Sequence, residues 1–376
     1  MRFAFISTMD GSPWGGSEEL WSQTAIQLKR SGHEVQATVV KWPHISDRVA
    51  LLTKHGISVH LHPSYRSGGA KGVWDRFTFG LRRSYSRLKR FNPDLVVISQ
   101  GHNSGGFECA RVCREAAIPY VIIVHCNSEL WWFQDRSLTD AAASYKAARK
   151  VFCVSRGNLN LLRMQLGDPL QNGEIVWNPF KVSTQDIPVW PDESGWCRMA
   201  CVGRLDPAAK GQELILQVLA RPEWRARPVE LSFFGEGPYE LTLRSLAEML
   251  TLNNIRFRGQ VGDIRSIWNE NHLLVLPSRY EGLPLVLVEA MWCGRPSVVT
   301  DVGGNAEICV DGETGFVAPA PTVLSLANAL ERAWERRSEW RQMGQAARAR
   351  AKSQIPENPI ALFSEQLERC AFESRR

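Results

Sequence analysis

The sequence has no Cys-x-x-Cys pair, no Asp-x-Asp pair and no Gly-x-Gly-x-x-Gly run, and each absence removes a class of chemistry. Its nine cysteines are odd in number and scattered, which suits a reducing compartment better than a disulfide framework. Cys109 with Cys113, and Cys197 with Cys201, are spaced like neighbours on a helix face. No further His or Cys completes a zinc set, so they read as small core residues. Without the glycine fingerprint a nicotinamide dinucleotide is not expected. Apolar runs such as 95–98, 120–124 and 273–276 fall far short of the roughly 20 residues that span a bilayer. The opening residues 1–8 read as a buried strand, because their apolar stretch is too short for a signal-peptide core and turn residues follow. The expected location is therefore the cytoplasm, with no membrane span, and there is no internal repeat of roughly 20 to 50 residues.

What is present is ordinary for a folded chain: 376 residues, 44% apolar and 22% charged, with a net charge of +6. At about 100 to 200 residues per domain, two domains are expected. Short apolar runs alternate with amphipathic stretches: strands at 2–7, 35–40, 94–99 and 120–125, with a helix over 17–31. That alternation predicts a parallel sheet covered by helices. It restarts at Met199 and continues through 230–234, 255–257, 273–276 and 297–300. A breaker-rich stretch lies between the two series. The predicted division is 1–178, a linker over 179–196, a second α/β domain over 197–355 and a terminal segment over 356–376. Two helical patterns, 324–352 and 359–372, close the chain. Ligands of open α/β sheets bind outside the carboxyl ends of the strands, so the chemistry belongs in those loops.

The richest segment is 277–291, where a strand end is followed by Glu281, Gly282, Leu283 and Pro284, then a helix carrying Glu289. Pro284 suits the first turn of a helix, where its missing N–H costs nothing. Free N–H groups at that helix start favour an anion, and a carboxylate beside a bound anion is best used on neutral hydroxyls such as those of sugars. The alternative is a capping Glu281 and a solvated Glu289. After the first strand of the second series come Arg204 and Lys210, two cations able to converge on a diphosphate, with surface roles as the alternative. Gly235 and Gly237 form a Gly-x-Gly turn after the next strand. In the first domain, Gly15 and Gly16 lie between strand and helix, where they permit close backbone approach, and His125 ends a strand. A core or capping role is the alternative for His125.

Taken together, these residues resemble the retaining nucleotide-sugar glycosyltransferases of family 4, which have the GT-B fold. The likeness is strongest over 202–319, where Val202-Gly203-Arg204-Leu205, Lys210-Gly211, residues 234–238, the Glu281 to Glu289 spacing, residues 303–307 and residues 311–316 occur in the family's order. The resemblance implies two Rossmann-like domains facing across a cleft, with a C-terminal helix returning to the N-terminal domain. It implies that Arg204 and Lys210 hold the donor diphosphate, Glu289 the ribose hydroxyls and Glu281 the transferred sugar, aided by backbone N–H groups around Gly282 and Leu283. Gly15 and Gly16 would close near the phosphates, with Gly235 on the donor side and His125 at the sugar. It further implies a UDP- or GDP-sugar donor, a glycan, lipid-linked or small-molecule acceptor, retention by a front-face mechanism, and no metal or other cofactor. A nucleotide-sugar epimerase or hydrolase on the same scaffold, or a non-catalytic binding subunit, are the competing readings.

Some positions depart from the family or add to it. Asn178-Pro179 stands where Asn-Gly is common. Glu18 and Glu19 open the first helix, where they stabilise the dipole or select the acceptor. Trp131 and Trp132 suit either sugar stacking or core packing. The whole charge excess sits in residues 66–90, eight basic side chains against Asp75 alone. There Trp74, Phe77, Leu81, Tyr85 and Leu88 step along one helical face. This is either a solvated basic face, or an anionic-membrane or phosphorylated-acceptor surface that would bring the enzyme peripherally to the inner membrane face. No nucleic-acid partner is expected.

Overall fold

The computed structural model describes residues 1–9, 11–43, 46–62, 81–192 and 195–373, with backbone alone over 81–85. The chain divides into two units, one formed by Met1–Pro179 with Asn358–Arg376 and the other by Phe180–Glu357.

The first unit is built on a seven-stranded sheet: β1 (Arg2–Ser7), β2 (Glu34–Val40), β3 (Ser58–His62), β4 (Leu95–Gln100), β5 (Tyr120–Val124), β6 (Val151–Cys153) and β7 (Gly173–Ile175). The order is β3-β2-β1-β4-β5-β6-β7, with every pairing parallel. β4 and β5 are buried at every position, as strands covered on both faces must be. The helix Gly16–Arg30 explains itself locally: glutamates at the positive end, Lys29 and Arg30 at the negative end, and Leu20, Trp21, Ala25 and Leu28 on the buried face. The terminal helix Pro359–Glu373 packs on this unit. Phe363 is fully buried edge-on against Phe152, with ring centroids 5.1 Å apart, a burial that stabilises by about 2 kcal/mol. Glu368 meets His33 at 2.7 Å.

The second unit has six strands: β8 (Cys197–Val202), β9 (Val229–Phe234), β10 (Ile255–Phe257), β11 (Leu273–Leu276), β12 (Ser297–Thr300) and β13 (Gly315–Ala318). Their order is β10-β9-β8-β11-β12-β13, again parallel. The stretch expected as a linker is attached to this unit from Phe180 onward. Phe180 stacks on Trp292 at 5.5 Å, and Arg348 Nη2 donates to Thr184 O at 2.7 Å. Arg295, 1% exposed, donates to Val189 O at 2.7 Å and also to carbonyls of Trp268, Asn271 and Cys293.

Several sequence expectations are corrected. Cys197 and Cys201 lie on β8, not on a helix; only Cys109 and Cys113 share a helix, Phe107–Glu115. All nine cysteines are free, and burial pushes the thiols of Cys153, Cys201, Cys293 and Cys309 up to about 12. The pattern over 324–352 is two helices, Val323–Glu335 and Trp340–Gln354, separated by a 3-10 turn at Arg337–Glu339. Strands β3, β6, β7 and β13 were not anticipated.

Of the basic segment, residues 66–80 and the side chains of Arg82 and Arg83 lie outside the described residues. Its described end is the helix Leu81–Phe91, in which Leu88 is buried while Arg87, Lys89 and Arg90 are exposed. No helix among the described residues is long and apolar enough to cross a membrane.

Candidate functional site

In the second sheet the chain runs from β8 outward through β9 and β10, then returns to the other side of β8 to lay down β11, β12 and β13. The switch point therefore falls between β8 and β11, and the loops after those strands diverge to leave room for a ligand. Lys210 follows β8 and Glu281 follows β11. Lys210 Nζ lies 2.6 Å from Glu281 Oε1, across the switch point.

Local interactions hold both ends of this pair. β11 is wholly buried, and Thr300 Oγ1 at the end of β12 donates to Ser278 O at 2.6 Å. Ser278 Oγ in turn donates to Glu281 Oε1 at 2.7 Å. Glu281 Oε1 thus takes two bonds, while Oε2 makes none among the described residues; the residue is 7% exposed. On the Lys210 side, Arg279 N donates to Ala209 O at 2.8 Å, tying the β11 loop to the short helix Pro207–Lys210. Gly211 follows at φ +61°, where a Cβ would sit 2.1 Å from Pro277 O, so only glycine lets the two loops meet.

The neighbouring loops interlock in the same way. Gly303, at φ +57°, would place a Cβ 2.3 Å from Glu281 O, and Gly304 N donates to Gly282 O at 2.7 Å. Gly235 packs on the Gly203 carbonyl, 2.2 Å from where its Cβ would lie. Leu283 is buried and Pro284 is the N-cap of the helix Leu285–Trp292. Glu289, 4% exposed in this otherwise apolar helix, accepts from Lys181 N at 3.1 Å through Oε1. Arg204 stands apart from the Lys210 pair: its guanidinium is half-exposed and bonds Asp206 Oδ2 at 2.8 Å. The structure therefore brings Lys210 and Glu281 into contact, sets Gly235, Gly282 and Leu283 in the loops after β9 and β11, and places Glu289 within the following helix against Lys181, with the Arg204 guanidinium half-exposed.

The first-unit candidates surround the switch point between β1 and β4. Gly15 is the N-cap and Gly16 the first residue of the helix Gly16–Arg30. His125 is buried, with Nε2 3.1 Å from Ser99 Oγ. Burial pulls its pKa down to about 3, against a smaller opposing effect of the Asn178 amide, so at neutral pH it is an uncharged hydrogen-bonding group. Sequence reasoning placed Glu18 at the helix start without foreseeing its burial, and did not single out Arg295. Glu18, 4% exposed, accepts from Ser7 Oγ at 2.7 Å. Burial, assisted by Glu19, raises its pKa to about 7, with Ser7 and Trp21 pulling the other way. Burial likewise lowers the Arg295 pKa to about 10. Neither stands in an apolar run, since Glu18 lies between Ser17 and Glu19 and Arg295 between Gly294 and Pro296, so no local signal marked their burial. Among the described residues, no group of three or more His, Cys, Asp or Glu is placed to hold a metal.

Two Rossmann-like units, each built on a parallel sheet with its own switch point, define the GT-B class of two-domain proteins. Residues 197–336 match the family described as Glycosyl transferases group 1, and residues 14–183 match Glycosyltransferase Family 4. Together these matches cover most of the sequence, and the chain belongs to the family 4 glycosyltransferases. It is 34% identical to Alpha-D-kanosaminyltransferase of Streptomyces kanamyceticus over 137 residues, which are 35% of this chain and 34% of that protein. The chain spans about a third of the length of such relatives. Among solved structures, Anabaena Alr3699/HepE in complex with UDP superposes with a TM-score of 0.76 at 20% identity, covering 98% of this chain and 100% of that one. The apo lipopolysaccharide outer core galactosyltransferase WaaB gives 0.73 at 19% identity, covering all of both chains. At such identities the superpositions establish the fold.

Proposed function

We propose that the chain transfers a sugar from a UDP- or GDP-sugar to a glycan, lipid-linked or small-molecule acceptor. Transfer proceeds with retention and without a metal ion, as a step in polysaccharide or glycoconjugate synthesis. The observation that carries this reading is the Lys210–Glu281 pair across the β8/β11 switch point, with Glu289 on the adjoining helix. The fold neighbour solved with UDP supports the choice of donor.

The residues divide the work by charge. Lys210, with Arg204 at the rim, offsets the negative charge that builds on the diphosphate as the bond from sugar C1 to phosphate oxygen breaks. Glu281, held by Lys210 and Ser278, offers Oε2 to a hydroxyl of the transferred sugar, and Glu289 serves the ribose hydroxyls. As the acceptor oxygen bonds to C1 on the same face, its proton passes to the departing phosphate oxygen, so no protein nucleophile is used. His125 is a neutral hydrogen-bonding group at the sugar.

Calorimetric titration with UDP and GDP in excess EDTA should show binding of one of them, and Glu281→Ala should abolish transfer while its unit still unfolds in one cooperative transition. Binding that needs a divalent cation would overturn metal independence, and a fully active Glu281→Ala would overturn the role of Glu281. Donor turnover that yields only free or epimerised sugar, whatever acceptor is supplied, would replace transfer by hydrolysis or epimerisation.

A further inference from the structure

β5 ends at Val124 and the next helix begins at Asp135, so residues 126–134 form a loop at the carboxyl end of the first sheet, directly after His125. Buried amides anchor this loop. Asn103 Nδ2 donates to Gln165 Oε1 at 2.9 Å and to Trp131 O at 3.0 Å. Asn127 Nδ2 donates to the same Gln165 oxygen at 2.8 Å, and Gln165 Nε2 donates to Ser128 O at 2.9 Å. Within the turn, Trp131 N donates to Ser128 O at 3.0 Å and Leu130 N to Ser128 Oγ at 3.2 Å. All three amide side chains are buried.

This rigid loop nevertheless leaves large apolar side chains in solvent: Leu130 is 82% and Trp132 60% exposed. The Trp132 indole N–H donates to Glu129 O at 2.8 Å, which satisfies its polar edge and fixes the ring. Trp131 packs edge-on to His102 at 5.7 Å, and His102 Nδ1 lies 3.0 Å from Ser104 Oγ. A core indole would be buried, and an incidental surface indole would need no network of buried amides beneath it. A fixed apolar ring in a loop that also carries the exposed Glu129 carboxylate and Gln134 amide suits a ligand with a C–H face and a hydroxyl rim, as a pyranose has. Exposed Glu129 and Asp135 flank Trp132 against the single exposed cation Arg136, so the patch has no basic excess to attract anionic headgroups, which disfavours a lipid surface as the occupant.

We infer that Trp132, with Leu130 two residues before it, is the platform on which a sugar unit of the acceptor stacks, so that the acceptor carries a saccharide at its accepting end. This deepens the transfer reading and rests on it. Trp132 is a specificity-determining residue here; it takes no part in bond making.

The test uses the full chain, the nucleotide sugar it hydrolyses, and p-nitrophenyl glycosides of glucose, galactose, mannose and N-acetylglucosamine as acceptor probes. For the glycoside the wild type accepts best, Trp132→Ala should raise KM at least tenfold, with kcat within threefold and with nucleotide affinity and acceptor-free donor hydrolysis unchanged. Trp132→Phe should keep KM within threefold, a rescue that a purely structural role would not show. An unchanged KM in Trp132→Ala overturns the inference. So does a wild type that hydrolyses donor but accepts none of the glycosides, or a Trp132→Ala that loses only its sedimentation with phosphatidylcholine–phosphatidylglycerol vesicles. A wild type that neither binds UDP or GDP nor turns over any donor brings down the transfer reading itself.

Discussion

Replacing Lys210 by Met keeps the side-chain stem and removes the ammonium, which leaves the Glu281 carboxylate with Ser278 as its remaining partner. The size of the effect follows from burial. The Glu281 side chain is 9% exposed and that of Lys210 25%, so the pair lies between a surface ion pair and a fully buried one. Surface pairs contribute about 0 to 1 kcal/mol, and one-sided removal of a buried pair costs about 3 to 5 kcal/mol. We expect Lys210→Met to destabilise its unit by about 2 kcal/mol, most of it the cost of an uncompensated buried charge. Glu281→Gln in the same background removes that charge and keeps an acceptor for Ser278, so the double variant should recover about 1 kcal/mol. Scanning calorimetry, fitted with a transition for each unit, reads this as a fall of about 4 to 8 °C for Lys210→Met, partly restored in the double variant. UDP affinity should drop more than tenfold in Lys210→Met. Single losses that simply add in the double variant would refute the coupling, as would a Lys210→Met transition within a degree of the wild type.

Gly303→Ala should destabilise the second unit by about 3 kcal/mol and weaken UDP binding, because its Cβ must displace the Glu281 and Gly282 backbone while the residue itself sits at positive φ; an unchanged urea midpoint would contradict the close approach. Glu18 has its folded-state pKa raised from 4.5 to about 7, so the folded chain holds a proton the unfolded chain has lost, and the stability of the first unit falls as pH rises through that interval. Glu18→Gln should match the wild type near pH 4.5 and exceed it by about 3 kcal/mol at pH 8, and parallel stability curves from pH 4 to 8 would refute the shift. His125 works in the opposite sense: its pKa is lowered to about 3, so its contribution is present above the ordinary histidine range and is lost as pH falls from about 6.5 toward 3. Relative to wild type, His125→Gln should flatten that acid-side slope in calorimetric scans.

The alternation of apolar runs was enough to place β1, β2, β4, β5 and β8 to β12 within a residue or two, because most of these strands are buried and dominated by apolar residues. It failed where that physics is weak. β6 and β7 are three residues each, too short to show a period; β10 is as short, but its Ile255 and Phe257 alternate around Arg256. β3 mixes Val and Leu with Ser and two histidines, and β13 opens on a glycine that reads as a turn. Cys197 and Cys201 were assigned a helical spacing because a separation of four satisfies both periods, and i and i+4 share a face on a strand too. The break at Arg337–Glu339 left no trace in the apolar pattern; Arg336 bonds Glu339 within the turn and Gly312 O outside it, the latter a contact that no local pattern shows.

By itself the sequence determined the two α/β series, the loop chemistry at the strand ends and the family, because strand alternation and motif spacing are local properties of a chain. Only the tertiary structure decided which groups meet. Lys210 and Glu281 are 71 residues apart, Lys181 N and Glu289 108 apart, and Trp131 O and Asn103 28 apart. The order of strands in each sheet joins them, and that order is fixed by long-range packing. The same packing buried Glu18 and His125 and left Trp132 in solvent. Burial sets the charge a side chain carries, and it depends on neighbours that no local stretch of sequence specifies.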